Sequence, residues 1–193
     1  MSTGPVVLGV ALEPAFTGMA TVDLTGDLVP LPSAPRYRFD VRHSTAHRRR
    51  VRRELLAETV ASLSPRPALA VVVTGKSRGA GDLVSDALDV LDGYSIPAVV
   101  VPRAEIVRFA TGSANAAIHS ALALVVRSWQ WAWVDNGSPD AGSPVAALAG
   151  CLGVSALGGT TPVPSSPGRD RAIASVQWPN PLPQINTTER NPR

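Results

Sequence analysis

The sequence predicts an α/β protein: a mixed sheet of three antiparallel strands followed by two parallel strands, flanked by helices. Three observations predict it. Two β-rich runs near the amino terminus, 6–12 and 18–24, lie close enough to form a hairpin. Two later runs, PALAVVV at 67–73 and IPAVVVP at 96–102, are continuously apolar, as strands buried on both faces of a parallel sheet are. Between and after them apolar residues recur at helical spacing, so right-handed helical crossovers connect the parallel strands.

The elements follow in order. Thr25-Gly26-Asp27 is a turn after the second strand, and RYRFDV at 36–41 alternates as a third, edge-type strand should. A helix then starts with Ser44 or Thr45 as its cap and carries Val51, Leu55, Leu56, Val60 and Leu63 on one side. DLVSDALDVLDG at 82–93 is an amphipathic helix ended by Gly93, RAEIVRFAT a short helix, and 113–133 a long one. A last helix, VAALAGCLGVSAL at 145–157, closes the core. From Gly158 the composition turns to Gly, Thr, Pro, Ser and Asn, so the reading is a domain over 1–157 and a disordered or partner-docked tail over 158–193. Trp178, Leu182 and Ile185 are the residues with which such a tail would dock.

A chain of 193 residues, 45% apolar and 17% charged, is long enough for one domain with a sizeable core and too apolar to be disordered. The net charge of +3 favours an anionic partner. The single cysteine, Cys151, sits in an apolar run, which fits a reducing compartment and a buried small hydrophobe. The most apolar stretch, AIHSALALVVRSWQWAWV, is interrupted by His119 and Arg127, and the first residues lack the basic region of a secretory signal. The expectation is a cytoplasmic protein with no membrane segment.

Four segments point to a family. ALEPAFTGMATVD at 11–23 places an acid, Glu13, at the end of the first strand, before a Thr-Gly pair. RRELLAETVASLSPRPALAVVV at 52–73 is a helix-strand step, IPAVVVPRAEIVRFATGSANAA at 96–117 a strand followed by a Pro-x-Glu segment and a Gly, and SPDAGSPVAALAGCLG at 138–153 a closing helix. In these segments and their order the chain resembles the ribonuclease-H-like fold, and within it the RuvC-type Holliday junction resolvases. The resemblance covers most of 5–157 and rests on order and spacing, since no single motif is intact.

The resemblance implies a sheet whose carboxylates converge on two magnesium ions about 4 Å apart, which activate water and stabilise the leaving oxygen of a phosphodiester. Four acids are usual. Here Glu13 takes the first place, one methylene longer than the usual Asp. The place expected for the second holds the neutral Thr74, and the last pair aligns with Asp140 and Ser143 or with Ser143 and Ala146. Glu13 and Asp140 are thus the candidate catalytic and metal-ligating residues. The basic residue expected after Gly112 is also missing, with Ser113 and Asn115 in that region. As turn residues, Glu13 and Asp140 have ordinary roles too, and Asp23 shapes the turn after its strand.

Five arginines, Arg48, Arg49, Arg50, Arg52 and Arg53, fall within six residues of the first helix and exceed what Glu54 and Glu58 can pair. Such a run is either a solvated face or a phosphate contact. Lys76 and Arg78, in a Gly-rich loop after a central strand, and Arg108 complete the candidate nucleic-acid-binding set. The loop lacks the first glycine of a P-loop, since Ala70 stands there. Trp129, Trp131 and Trp133 alternate at period two, which one helix face cannot bury.

The reading is therefore a RuvC-like protein that binds branched or duplex DNA as a homodimer, with metal-dependent cleavage weakened or lost. If it is active, magnesium is the cofactor. Helix 80–93 or the tryptophan segment would supply the dimer surface. The alternative is an inactive homologue serving as a structural or interaction subunit, with a protein partner for the tail.

Overall fold

The computed structural model describes residues 4–13, 16–29, 31, 37–38, 42–75, 80–129 and 142–183. Strands β1 (Val6–Glu13) and β2 (Phe16–Asp23) form the hairpin, antiparallel from Val6 opposite Asp23 to Glu13 opposite Phe16. The third antiparallel position is split between two short strands on the same edge of β2. Strand β3 (Leu28–Val29) pairs with Val22 and Thr21, and β4 (Tyr37–Arg38) pairs with Thr17 and Phe16. Helix α1 (Thr45–Ser62) leads to β5 (Leu69–Thr74), and α2 (Ala80–Gly93) to β6 (Ala98–Pro102). Strand β5 is parallel to both β1 and β6, giving the order β3-β2-β1-β5-β6 with β4 beside β2.

Strand alternation divides the apolar runs between two cores. Val7, Ala11, Leu69, Val71 and Val73 face helices α3 (Arg103–Thr111), α4 (Ile118–Trp129), α5 (Gly142–Ala156) and α6 (Pro167–Ser175). Leu8, Val10, Leu12, Ala70 and Val72 face α1 and α2. The Ser44 hydroxyl caps α1 by accepting from the His47 amide at 3.2 Å.

Helix α5 is apolar on every side, and from Val145 to Val154 its side chains are buried. It reaches the sheet at unusually close range. A Cβ at Gly9 would overlap the Ala146 carbonyl, and one at Gly150 or Gly153 would press on Val22 or Val7. These contacts run from Ala146 over Gly9 to Gly153 over Val7 and Leu69, so α5 is antiparallel to β1 and its amino end lies toward the carboxyl end of that strand. Cys151 is buried in this helix, and burial pushes its thiol up to about 12.

Residues 158–183, expected as a tail, pack on the fold itself. The Thr160 amide donates to the Leu24 carbonyl at 2.9 Å, and Val163 is buried in the α5 core. Arg169 holds α6 in place, donating to the Val163 carbonyl at 2.7 Å and the Ser155 hydroxyl at 3.0 Å while lying over the Phe109 ring. At the other end of α6 the Ser175 hydroxyl donates to Glu105 of α3 at 3.0 Å. The helices cross so closely that a Cβ at Gly168 would overlap the Gly112 carbonyl. Trp178 packs against the same core and donates to the Ile173 carbonyl at 2.9 Å. A few anchors and scattered hydrogen bonds hold this segment, a pattern with little periodicity to read.

Helix α4 begins at Ile118, five residues later than 113, and Trp129 at its end donates to the Gly26 carbonyl at 3.0 Å. Trp131 and Trp133 lie outside the described residues. Among the described residues no helix is long and apolar enough to cross a membrane. A chain ending at Leu157 is expected to melt about 10 °C or more below the full chain, at about 2–4 °C per kcal/mol for a protein of this size. A chain ending at Pro183 should keep its melting temperature. Thermal melts of the two truncations check this, and equal melts would make 158–183 dispensable.

Candidate functional site

The carboxyl ends of β1, β5 and β6 and the amino end of α5 meet along one rim of the sheet. Glu13 ends β1 there; its backbone pairs with Phe16, one residue beyond the Leu12–Thr74 pair. Position 74 is aligned with Leu12, whose side of the sheet packs on α1 and α2, whereas the last β5 residue on the α5 side is Val73, 3% exposed. The Thr74 hydroxyl donates to the Gly75 carbonyl at 3.2 Å. Neither face of the β5 end supplies a carboxylate.

Of the two placements for the last pair of acids, the one using Ala146 falls inside the core, against Gly9. Asp140 lies outside the described residues, as do Lys76 and Arg78. Among the described residues no three His, Cys, Asp or Glu side chains stand together to hold a metal ion. The neutral end of β5 does not fit a centre of two magnesium ions, which demands several hard oxygen donors. Asp23 has the role expected of it: its Oδ1 accepts from the Thr25 amide, the Thr25 hydroxyl and the Asp27 amide at 2.6–3.0 Å.

The α1 arginines reach the rim from the other face but do not act as one patch. Arg49 makes a bidentate pair with Asp86 of α2, Nε to Oδ2 at 2.7 Å and Nη2 to Oδ1 at 2.9 Å, and lies 3.6 Å from Asp82. Arg53 adds contacts of 3.4 Å to Asp86 and 3.6 Å to Asp89. Arg49's hydrogen bonds hold the Asp86 carboxyl below the usual carboxylate range against the opposing effect of burial. Arg52 is 7% exposed, and its Nε donates to the Thr17 hydroxyl at 3.1 Å. Burial, with Arg48's charge beside it, lowers its pKa to about 10, which leaves it charged at neutral pH.

Arg50 is exposed and lies 3.7 Å from Glu54, a contact worth little in solvent. Arg48 is half-buried. Arg108 belongs to α3, on the opposite face of the sheet, and pairs with both Glu105 oxygens at 2.7 and 2.9 Å. The structure thus brings the α1 arginines together, binds three of them to α2 or β2, and leaves Arg108 apart.

No protein-family model matches the chain, and no curated protein matches it in sequence. Solved structures do match. A structure of Thermus thermophilus RuvC aligns with a TM-score of 0.60 at 16% identity, covering 75% of this chain and 91% of that one. T. thermophilus RuvC in complex with a Holliday junction substrate aligns with a TM-score of 0.60 at 15% identity, over 75% and 92% of the two chains. The fold is RuvC-like.

Within this RuvC-like fold, the α1–α2 clasp is what sequence reading missed. Asp82, Asp86 and Asp89 are spaced four and three apart, on one side of α2, and Arg49 and Arg53 are four apart on α1. The two matching stripes were the available signal. Asp86→Ala is expected to lower stability by roughly 2 kcal/mol at neutral pH, between the values for exposed and buried pairs. A carboxylate with a depressed folded pKa stabilises above its unfolded value, and that contribution disappears as pH falls through the folded one. Urea unfolding of wild type and variant should therefore differ at neutral pH and converge in acid; a gap that persists at low pH would mean Asp86 acts by packing.

Proposed function

We propose that this chain binds branched or duplex DNA along the rim and the adjoining half of α1, with metal-dependent phosphodiester cleavage weakened or lost. The observation that carries the reading is a RuvC-like fold whose β5 ends in Val73 and Thr74, neither a carboxylate, beside a basic helix. Support for the ligand comes from the T. thermophilus relative in fold, which has been captured on a Holliday junction substrate. Exposed Arg50 and half-buried Arg48 are the α1 residues that would meet phosphates, joined by Lys76 and Arg78 from the loop after β5. Buried Arg52 instead holds the β1–β2 hairpin against α1. Glu13 and Asp140 are the carboxylates that would remain for a magnesium ion, and a homodimer would present two rims to a four-way junction.

A second reading is favoured by the same rim: with a neutral β5 end and two arginines already neutralised by α2, the chain would be an inactive homologue acting as a structural or protein-interaction subunit. A salt series separates them. DNA affinity should fall steeply with salt, and Arg48→Ala and Arg50→Ala should each reduce the slope by about one, equally for all sequences. Arg52→Ala should lower stability first. Salt-insensitive or undetectable DNA binding removes the DNA reading and leaves the interaction subunit. Residual cleavage of a four-way junction in magnesium or manganese, lost in Glu13→Ala, would mark the site as weakened; no cleavage at any protein excess marks it as lost.

A further inference from the structure

At the start of α1 a second cluster stands beside the arginines, and the clasp with α2 does not use it. His43 lies just before the Ser44 cap and His47 one turn inside the helix, with ring centroids 4.4 Å apart and ring planes at 48°. Arg50, three residues on, brings its Nη2 to 3.5 Å from His47 Nδ1. Positions 47, 50 and 54 follow one face of the helix, so that face opens on two imidazoles and a guanidinium before it reaches Glu54.

The cluster is short of acceptors. His43 Nδ1 is shut off from solvent and has no hydrogen-bond partner. Among the described residues neither imidazole pairs with a carboxylate. The three carboxylates that α2 turns toward α1, Asp82, Asp86 and Asp89, meet Arg49 and Arg53 instead. Arg42 before the pair and half-buried Arg48 after it add positive charge. Glu54 lies 3.7 Å from Arg50, and both side chains are more than half exposed.

The Arg50 contact decides what a proton does here. A guanidinium only donates, so His47 must offer Nδ1 as a lone pair and carry its ring proton on Nε2. A second ring proton makes Nδ1 a donor facing a donor, and sets an imidazolium between Arg50 and the other imidazole with no anion to answer it. An oxygen ligand with several lone pairs removes the conflict, because it accepts from the guanidinium and the protonated ring together. A phosphate group is such a ligand, and both bonds to it are charge-assisted.

We propose that His43, His47 and Arg50 form a phosphate site that takes up a proton as it fills. The inference rests on the DNA reading for its natural ligand, and on that reading DNA is held more tightly as pH falls. Histidine is the side chain that changes charge between about pH 5 and 8, which places the effect near neutrality. Linkage makes it reciprocal: a proton that strengthens phosphate binding is itself bound more strongly when phosphate is present.

Two measurements on the full chain test the site. At constant ionic strength the wild type should bind a fixed duplex about fivefold or more tightly at pH 6 than at pH 8. The double variant H43Q/H47Q, altered outside both cores, should keep the fold by circular dichroism and lose that gain, while His119→Gln on α4 should keep it. A wild type whose DNA affinity does not change with pH, or a gain that survives in the double variant, overturns the inference. Proton NMR of the histidine rings, with inorganic phosphate as the probe, reads the site without DNA. Replacing chloride by phosphate at equal ionic strength should raise the titration midpoint of His47 and leave that of His119 in place; a His47 midpoint indifferent to phosphate overturns the inference. A chain that binds no DNA at any pH yet keeps the phosphate-linked midpoint overturns the DNA reading and upholds the phosphate site.

Discussion

Everything on one face of the sheet depends on the contact between Gly9 and the Ala146 carbonyl. It lets an all-apolar helix descend onto β1, β2 and β5 without intervening side chains, and Gly150 and Gly153 continue the descent. The closeness has two consequences. It buries almost the whole surface of α5, which α3, α4 and α6 then cover, so the segment after α5 is needed to complete the core. It also directs the amino end of α5 to the place where β1 and β5 end. The rim exists because this helix is pinned by glycines at a fixed depth and direction.

The opposite face is organised by charge. Arg49 and Arg53 grip three aspartates of α2, and Arg52 reaches under α1 to Thr17 of the hairpin. Positive charge that reads in the sequence as a single block is thereby divided. Part of it fixes the α1–α2 angle and part anchors the β1–β2 hairpin next to the rim. The remainder is half-buried Arg48 and exposed Arg50, which share a turn of helix with the arginines that are held.

The fold was legible because its signals are periodic. The apolar runs of β1, β5 and β6, the Ser44 cap and the amphipathic α2 are each visible within a window of a few residues. The site was less legible because it depends on register. Whether position 73 or 74 shares a face with Ala11 is decided by the pairing of β1 with β5, which no local pattern encodes. The same holds for the clasp, where Asp86 meets Arg49 across 37 residues of chain. The segment 158–183 misled for another reason. Its proline and serine content resembles that of linkers, yet Val163, Arg169 and Trp178 anchor it, and its Thr160 amide donates to the Leu24 carbonyl.

The neutral end of β5 also has an energetic logic. Carboxylates crowded at one point repel, and a cation is what makes such crowding tolerable. Once one member of the set becomes apolar, the cation is bound less tightly and the repulsion among the remaining acids is less well offset. Val73 adds a buried methyl-bearing side chain to the α5 core at the position where a charged group would need solvent or metal. A valine there favours packing, since a carboxylate in the same place would have to be paired or solvated.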